Sequence, residues 1–377
     1  MIKQIFALGL SVCVGLTYTI AQDSNGQEIS NSVIRTSVPF LTIAPDSKAG
    51  AMGDAGVSTS GDLSSQHWNS AKYVTLKENF GLALSYTPWL RSLGVTDLNL
   101  LYLSGYKKFG RDQAVSASLR YFNLGEIIEL DGVGNETGQT IRPNEFALDA
   151  GYSRAFSEYF NGGLVFRFIY SDIAAGTSST GLAGGAQYEP GTSFAADIST
   201  YFQKPVNVGG YDASYAWGVN ISNIGTKMTY SEDNESQFIP TNLRVGGRYE
   251  MEIDEYNSIG GTLDLNKLLV PLNDTTNMGT IEGMFKSFSD APGGFKEEMQ
   301  EIMWSFGLEY MYMKQFAIRA GYFHENENKG NRKYFTAGVG LYLNVFSLDF
   351  SYLFPTQGGQ NNPLSNTMRF TLGFKFE

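Results

Sequence analysis

Ala213-Ser214-Tyr215-Ala216-Trp217-Gly218-Val219-Asn220-Ile221-Ser222 carries the signal that decides the fold. Its odd positions are apolar and mostly bulky, and its even positions are small or polar. In an extended chain successive side chains point to opposite faces, so a period of two makes a strand with one apolar and one polar face. The pattern returns from Leu243 to Ile253, from Trp304 to Tyr312, from Phe346 to Phe354 and from Met368 to Phe376. Alternation sustained over about ten residues suits a tilted strand crossing a hydrocarbon layer.

Working outward, fourteen such strands are expected. Their centres lie near Leu82, Leu100, Ser118, Ala150, Phe166, Ala196, Gly218, Gly246, Gly261, Leu308, Ile318, Gly338, Leu348 and Leu372. The links between them alternate. Short ones surround Phe109, Glu158, Val206, Asp254, Lys314 and Asn344, and longer ones surround Ser92, Gly134, Thr180, Asp233, Met284, Asn328 and Gln360. An even strand number with short turns at one end and long loops at the other is the grammar of a transmembrane barrel. The expected fold class is therefore all-β: a fourteen-stranded antiparallel transmembrane barrel with both termini on the short-turn side.

The polar face carries Arg120, Asp149, Arg167, Asp197, Arg244, Arg248, Asp264, Glu309, Arg319, Asp349 and Arg369. In a membrane barrel these line the interior while Leu, Val, Ile, Phe and Tyr meet lipid. A soluble sandwich would point the same charges at water, and periodicity alone does not separate the two. The strand length and the loop parity favour the barrel. So do tyrosines near strand ends, at Tyr86, Tyr121, Tyr152, Tyr170, Tyr310, Tyr322 and Tyr352, which suit interfacial girdles.

Composition excludes other classes. Of 377 residues only 17% are charged, while 14% are aromatic and 43 are glycine. That suits neither a disordered chain nor a helical bundle. A net charge of −11 argues against nucleic acid held on a basic face. A mean hydropathy of −0.18 excludes a bundle of membrane helices. Residues 1–21 read as a signal peptide, with Lys3 before an apolar run from Ile5 to Val14 and Thr19-Ile20-Ala21 ahead of Gln22. Cys13, the single cysteine, lies inside it, so the exported chain has no disulfide.

Before the first strand the pattern changes. Residues 45–57 read PDSKAGAMGDAGV and residues 62–72 read DLSSQHWNSAK, small-residue-rich and without alternation. Residues 22–78 are expected to form an extension and a plug inside the lumen, ahead of a barrel over residues 79–377. Asp46, Lys48, Met52, Asp54, Asp62, Trp68 and Asn69 are the expected plug residues, answering the charges of the wall. Wide barrels are often plugged in this way.

The stretch from Ser37-Val38-Pro39-Phe40-Leu41 through residues 45–72, followed by fourteen alternating strands, resembles the FadL-type outer-membrane proteins. Within that superfamily it is most similar to the PorV family of the type IX secretion system. Many FadL-type chains read Asn-Pro-Ala near the end of the plug where this one has Asn69-Ser70-Ala71, which removes the turn a proline would impose. The resemblance implies a place in the outer membrane, amid its lipid and lipopolysaccharide. It also implies binding of exported cargo by C-terminal signal domains, receipt from the SprA translocon, and delivery to a surface attachment complex containing the PorU sortase. The alternative is a FadL-like transporter of hydrophobic small molecules.

The link from Leu268 to Met303 is the expected partner surface. Ile281, Met284, Phe285 and Phe288 fall at helical spacing, and Phe295, Met299, Ile302 and Met303 form a second helical pattern after Pro292-Gly293-Gly294. Exposed apolar faces of this kind serve either as a lid over the barrel mouth or as adaptable contact area for a partner. No phosphate loop, dinucleotide fingerprint, nucleophile elbow or zinc-protease motif is present, and only His67 and His324 are available as catalytic bases. The sequence points to a protein that is not an enzyme and that needs no cofactor or metal.

Overall fold

The computed structural model describes residues 33–89, 97–130, 136–173, 175, 189–230, 236–272, 278–356, 364 and 367–377. Sixteen strands form. They are β1 (Phe80–Pro88), β2 (Leu98–Phe109), β3 (Gln113–Leu124), β4 (Ile127–Leu130), β5 (Glu136–Ile141), β6 (Asn144–Ala155), β7 (Phe160–Asp172) and β8 (Gly191–Val208). Then follow β9 (Tyr211–Gly225), β10 (Asn242–Glu252), β11 (Asn257–Leu268), β12 (Met303–Tyr312), β13 (Phe316–His324), β14 (Lys333–Leu343), β15 (Phe346–Pro355) and β16 (Met368–Phe376).

All but β4 and β5 join one closed antiparallel barrel of fourteen strands, in which β1 pairs with both β2 and β16. Closure leaves no strand edge exposed to lipid, where an unpaired N–H or C=O would have no water to bond. Each of the fourteen expected centres falls within its own barrel strand. The extra pair β4–β5 is a hairpin within the β3–β6 connection. It went unforeseen because a four-residue strand is too short to establish a period. Among the described residues no helix is long and apolar enough to cross a membrane.

The register explains the alternation. In β10, Asn242, Arg244 and Arg248 are buried inward while Val245 and Tyr249 are exposed outward. All eleven charges expected on the polar face are buried. Seven of them pair across the wall: Arg167 with Asp149 (2.7 Å) and Asp197 (3.1 Å), Arg248 with Glu309 (2.8 Å), and Arg319 with Glu309 and Asp349 (both 2.6 Å). Removing one member of such a pair strands a buried charge, so the network ties neighbouring strands together. Outside, Leu148, Phe166, Phe194, Ile198, Ile318 and Phe335 present apolar surface for lipid.

Six tight connections close one end. The β8–β9 turn is the shortest kind, with Gly209 and Gly210 both at positive φ (63° and 89°), as a two-residue hairpin requires. The long connections gather at the other end. The C-terminus lies at the tight-turn end, since β16 runs from Met368 to Phe376 opposite the start of β1. The start of the described chain does not. Ser37 N–H donates to Phe238 O (2.9 Å), and Ile34 packs on Phe238, Val270 and Met278, all in long connections. The expected N-terminus at the tight-turn end falls outside the described residues, while residues 33–38 sit at the long-loop mouth. Val38, Phe40 and Leu41 have a stronger demand: they bury in a cluster with Leu100, Phe122, Ile169 and Ile239 at the long-loop mouth.

The lumen segment and the outer loop helices

From that mouth the chain runs between the inward faces of the strands toward β1. Two short helices lie on the way, α1 (Ser47–Gly50) and α2 (Ser65–Trp68), followed by a 3₁₀ stretch, Ser70–Thr75. A segment this rich in Ala, Gly and Ser has little apolar surface with which to fold on itself. Its backbone polar groups are satisfied by the wall instead. Asp264 of β11 accepts from Gly56 N–H (2.6 Å), Val57 N–H (2.8 Å) and the Ser58 hydroxyl (3.3 Å). Thr336 of β14 accepts from Gly53 N–H (2.8 Å) and donates to Ala51 O (2.9 Å). Thr371 of β16 accepts from Ser47 N–H, and Ser104 of β2 donates to Leu63 O (both 2.9 Å). Close approach needs small wall residues. A Cβ at Gly321 would overlap the backbone of Met52 and Gly53, and one at Gly218 would overlap Val57 O.

The seven expected lumen residues have distinct partners. Asp46 caps α1 by accepting from Ala49 N–H (2.9 Å) and accepts from Trp68 Nε1–H (2.6 Å), joining the two halves of the segment. Burial, reinforced by nearby Asp62, pushes the Asp46 carboxyl above its usual range. Lys48 pairs with Asp62 (3.3 Å). Met52 is wholly buried against Gly307 and Gly321. Asp54 accepts from Tyr334 O–H (2.6 Å) and faces Arg369 (3.5 Å). Asn69 donates to Val57 O (3.0 Å) and Thr200 O (2.8 Å) and accepts from Ala71 N–H (3.1 Å). That last bond caps the 3₁₀ stretch and supplies locally the turn that a proline at position 70 would have imposed.

Sequence reasoning missed Lys72, whereas His67 has the hydrogen-bonding role that its place beside Trp68 suggests. Lys72 is fully buried and donates to Gly56 O (2.8 Å) and the Thr59 hydroxyl (3.1 Å); burial pulls its ammonium down to about 8. His67 takes a hydrogen bond at Nδ1 from Arg120 (2.6 Å) and its carbonyl takes one from Arg244 (3.4 Å). Burial and the two guanidiniums hold its pKa well below the ordinary value, so it stays neutral. His324 lies outside this region, at the end of β13, stacked on Trp304 (5.0 Å).

The β11–β12 connection forms α3 (Thr280–Lys286) and α4 (Phe295–Gln300). Gly283 is the buried side of α3, where a Cβ would meet the Phe238 ring, so the glycine permits close packing. Ile281 and Phe285 (75% exposed) turn outward, while Met284 is half-buried. Phe288 is exposed beyond the helix end. The expected single face of four residues is therefore divided, because Gly283, not Met284, is the packing side. In α4 and at its C-cap the acidic residues point inward: Lys267 pairs with Glu298 (3.0 Å) and Glu301, and Lys329 with Glu297 (2.7 Å) and Glu301 (3.0 Å). Phe295 (79% exposed) and Met299 are left outside. Met303 is not helical; it opens β12 and packs with Phe323, Tyr334 and Leu353.

A fourteen-stranded barrel with a charged interior, an apolar exterior and long loops at one end defines an outer-membrane protein of FadL-like fold. Solved structures with this architecture include a TodX deltaS2S3 mutant monoaromatic hydrocarbon channel (10% identity, 88% of this chain and 99% of that chain, TM-score 0.54). The CymD monoaromatic hydrocarbon channel aligns similarly (10% identity, 89% and 98%, TM-score 0.52). A Pseudomonas aeruginosa FadL homologue also aligns (10% identity, 88% and 98%, TM-score 0.43). At such identities the first two alignments establish fold alone. No curated protein matches the chain in sequence. The model of the family described as "Type IX secretion system protein PorV" matches residues 26–275. The chain belongs to the PorV family of type IX secretion outer-membrane proteins.

Proposed function

We propose that this protein is the cargo-binding shuttle of a type IX secretion system. It takes exported proteins, by their C-terminal signal domains, from the SprA translocon and delivers them to the PorU-containing attachment complex. Residues 1–21 serve as its signal peptide, and residues 22–78 as extension and lumen plug. Family membership supports the secretion role. The single observation that carries the binding role is the row of exposed apolar side chains on the β11–β12 connection: Ile281, Phe285, Phe288, Phe295 and Met299. Ion pairs beneath α4 hold that surface outward, and Met284 flanks it. Apolar area of this kind outside the membrane calls for a covering partner.

The segment-filled, charge-lined lumen supports a closed interior over a greasy conduit, which argues against the transporter reading. The test is recovery of bound chains from native protein in mild detergent, with wild type compared with the double substitution Phe285→Ser and Phe288→Ser. A buried aromatic anchor typically contributes about 2 kcal/mol or more on truncation, which is roughly thirty-fold in affinity. Loss of cargo or translocon from a correctly folded double variant is expected. Normal secretion and attachment by that variant would remove this connection as the capture surface.

A further inference from the structure

A cavity of about 490 Å³ lies at the tight-turn end of the barrel, between the lumen segment and the inward faces of β10, β12, β14, β15 and β16. That end faces the periplasm in an outer-membrane barrel. Six carboxylates line the cavity, against three ammonium groups. Each carboxylate can be followed to what it meets. Asp62 pairs with Lys48 (3.3 Å), and buried Lys72 acts on both Asp62 and Asp46. Glu78 faces Lys375 at 3.9 Å. Lys314, the third ammonium, turns away to Glu252 (3.2 Å), which is not in the lining. The other three carboxylates form one chain across the wall. Arg248 joins Glu250 (3.1 Å) to Glu309 (2.8 Å), and Arg319 joins Glu309 to Asp349 (both 2.6 Å). Two guanidiniums thus serve three carboxylates, which leaves one negative charge in excess.

That excess has a location. Asp349 ends the chain and is only 5% exposed. Its Oδ1 accepts from both Arg319 (2.6 Å) and the Tyr342 hydroxyl (2.8 Å), while its Oδ2 accepts a hydrogen bond from none of the described residues. A buried carboxylate oxygen without a donor is costly, and a charged donor relieves it best. At the other end of the chain Glu250 is likewise bonded through Oε2 alone, by Arg248. Met311, Met313, Val345 and Phe346 share the same cavity, so the open acceptor lies in a partly apolar enclosure. An excess carboxylate with apolar wall around it matches a ligand that has a cationic head on an aliphatic stem, the build of a long basic side chain.

We propose that this cavity is a binding site for an aliphatic cation, in which Asp349 Oδ2 accepts from the ammonium or guanidinium head and the stem lies along Met311, Met313 and Val345. Glu250 adds negative potential from the other end of the ion-pair chain. Such a cation has two sources, a lysine or arginine side chain of a polypeptide on the periplasmic side and a free polyamine. The inference is independent of the shuttle reading, since the cavity lies at the opposite end of the barrel from the apolar loop surface.

The test uses the full-length protein in nanodiscs of zwitterionic lipid, with binding read by calorimetry. The probes are an N-acetylated, amidated tetrapeptide with one lysine among alanines, the same peptide with norleucine in place of lysine, 1,5-diaminopentane and 1,5-pentanediol. At least one cation should bind about tenfold or more tightly than its neutral counterpart, the contrast expected of a hydrogen bond to a charged group. Asp349→Asn should remove most of that contrast, and Glu250→Gln should reduce it by a smaller factor. Binding of the lysine peptide alone assigns a protein side chain, and binding of the diamine alone assigns a polyamine. Equal binding of cation and neutral counterpart, no binding of either cation at millimolar concentration, displacement by equimolar sodium chloride, or an unchanged contrast in Asp349→Asn would overturn the proposal. If Asp349→Asn does not fold, Glu250→Gln decides it, because that side chain is 32% exposed and its loss leaves Arg248 paired with Glu309.

Discussion

Replacing Asp264 by alanine removes the most concentrated attachment of the lumen segment. One carboxylate accepts two backbone N–H groups, from Gly56 at 2.6 Å and Val57 at 2.8 Å, with the Ser58 hydroxyl at 3.3 Å beside them. Asp264 is wholly buried, so those donors have no water to turn to. Hydrogen bonds to a charged acceptor contribute about 1.5–3 kcal/mol each, which puts the loss of the two backbone bonds at about 3–6 kcal/mol of local stability. The wall strands keep their own ladders, so the barrel should still assemble. Local opening of residues 54–60 should become easier, and even the lower figure is more than a hundredfold in exchange rate. Hydrogen-exchange mass spectrometry on peptides covering those residues reads this directly. Asp264→Asn, which keeps one acceptor oxygen, should fall between. Planar-bilayer recordings should show added conductance or flicker in the alanine variant. Unchanged exchange in residues 54–60, together with unchanged conductance, would refute the idea that the wall carboxylate holds the segment in place.

Arg319→Met leaves Glu309 and Asp349 without their shared guanidinium, and an uncompensated buried charge typically costs about 3–5 kcal/mol; the heat needed to unfold the barrel on a semi-native gel should drop. Gly321→Ala drives a methyl into the Met52–Gly53 backbone, and overpacking of that kind costs about 1–3 kcal/mol; exchange in residues 50–56 should rise while strand pairing persists. For Lys329, burial alone would lower the pKa, but hydrogen bonds to Glu297 and Glu301 hold it above the ordinary 10.5. A group raised in the folded state stabilises fully below its unfolded pKa and loses that contribution as pH rises through the folded value. The tie on α4 should therefore hold across neutral pH and slacken only above about 10.5. Lys329→Met should show faster exchange in residues 295–301 already at pH 7, and equal exchange in both proteins at pH 7 would contradict the tie.

Much of this molecule is written locally. A period-two pattern needs only neighbouring residues, so strands such as Tyr211–Gly225 and Met368–Phe376, their number and their charged face were legible without coordinates. Turn and loop lengths alternate along the chain itself, and a barrel follows because lipid penalises every unpaired strand edge. The resemblance of residues 37–72 led to the right family for the same reason: short motifs survive in sequence order. Signals too short to build a period did not show, which hid the β4–β5 hairpin. Helical spacing also misassigned Met303, which opens β12 and packs on Phe323 and Tyr334, and it did not reveal that Gly283 is the side of α3 that packs on Phe238. The lumen is where tertiary structure alone decides. Nothing near Gly56 and Val57 in the chain announces that Asp264, more than two hundred residues away, will accept their N–H groups. Likewise Arg244 looks like any other inward charge until the wall closes. Only then does it prove to bond neutral oxygens, those of Asn266 and His67, where Arg167, Arg248 and Arg319 meet carboxylates, because ion pairing is settled by distance across the ring and not by spacing along the chain.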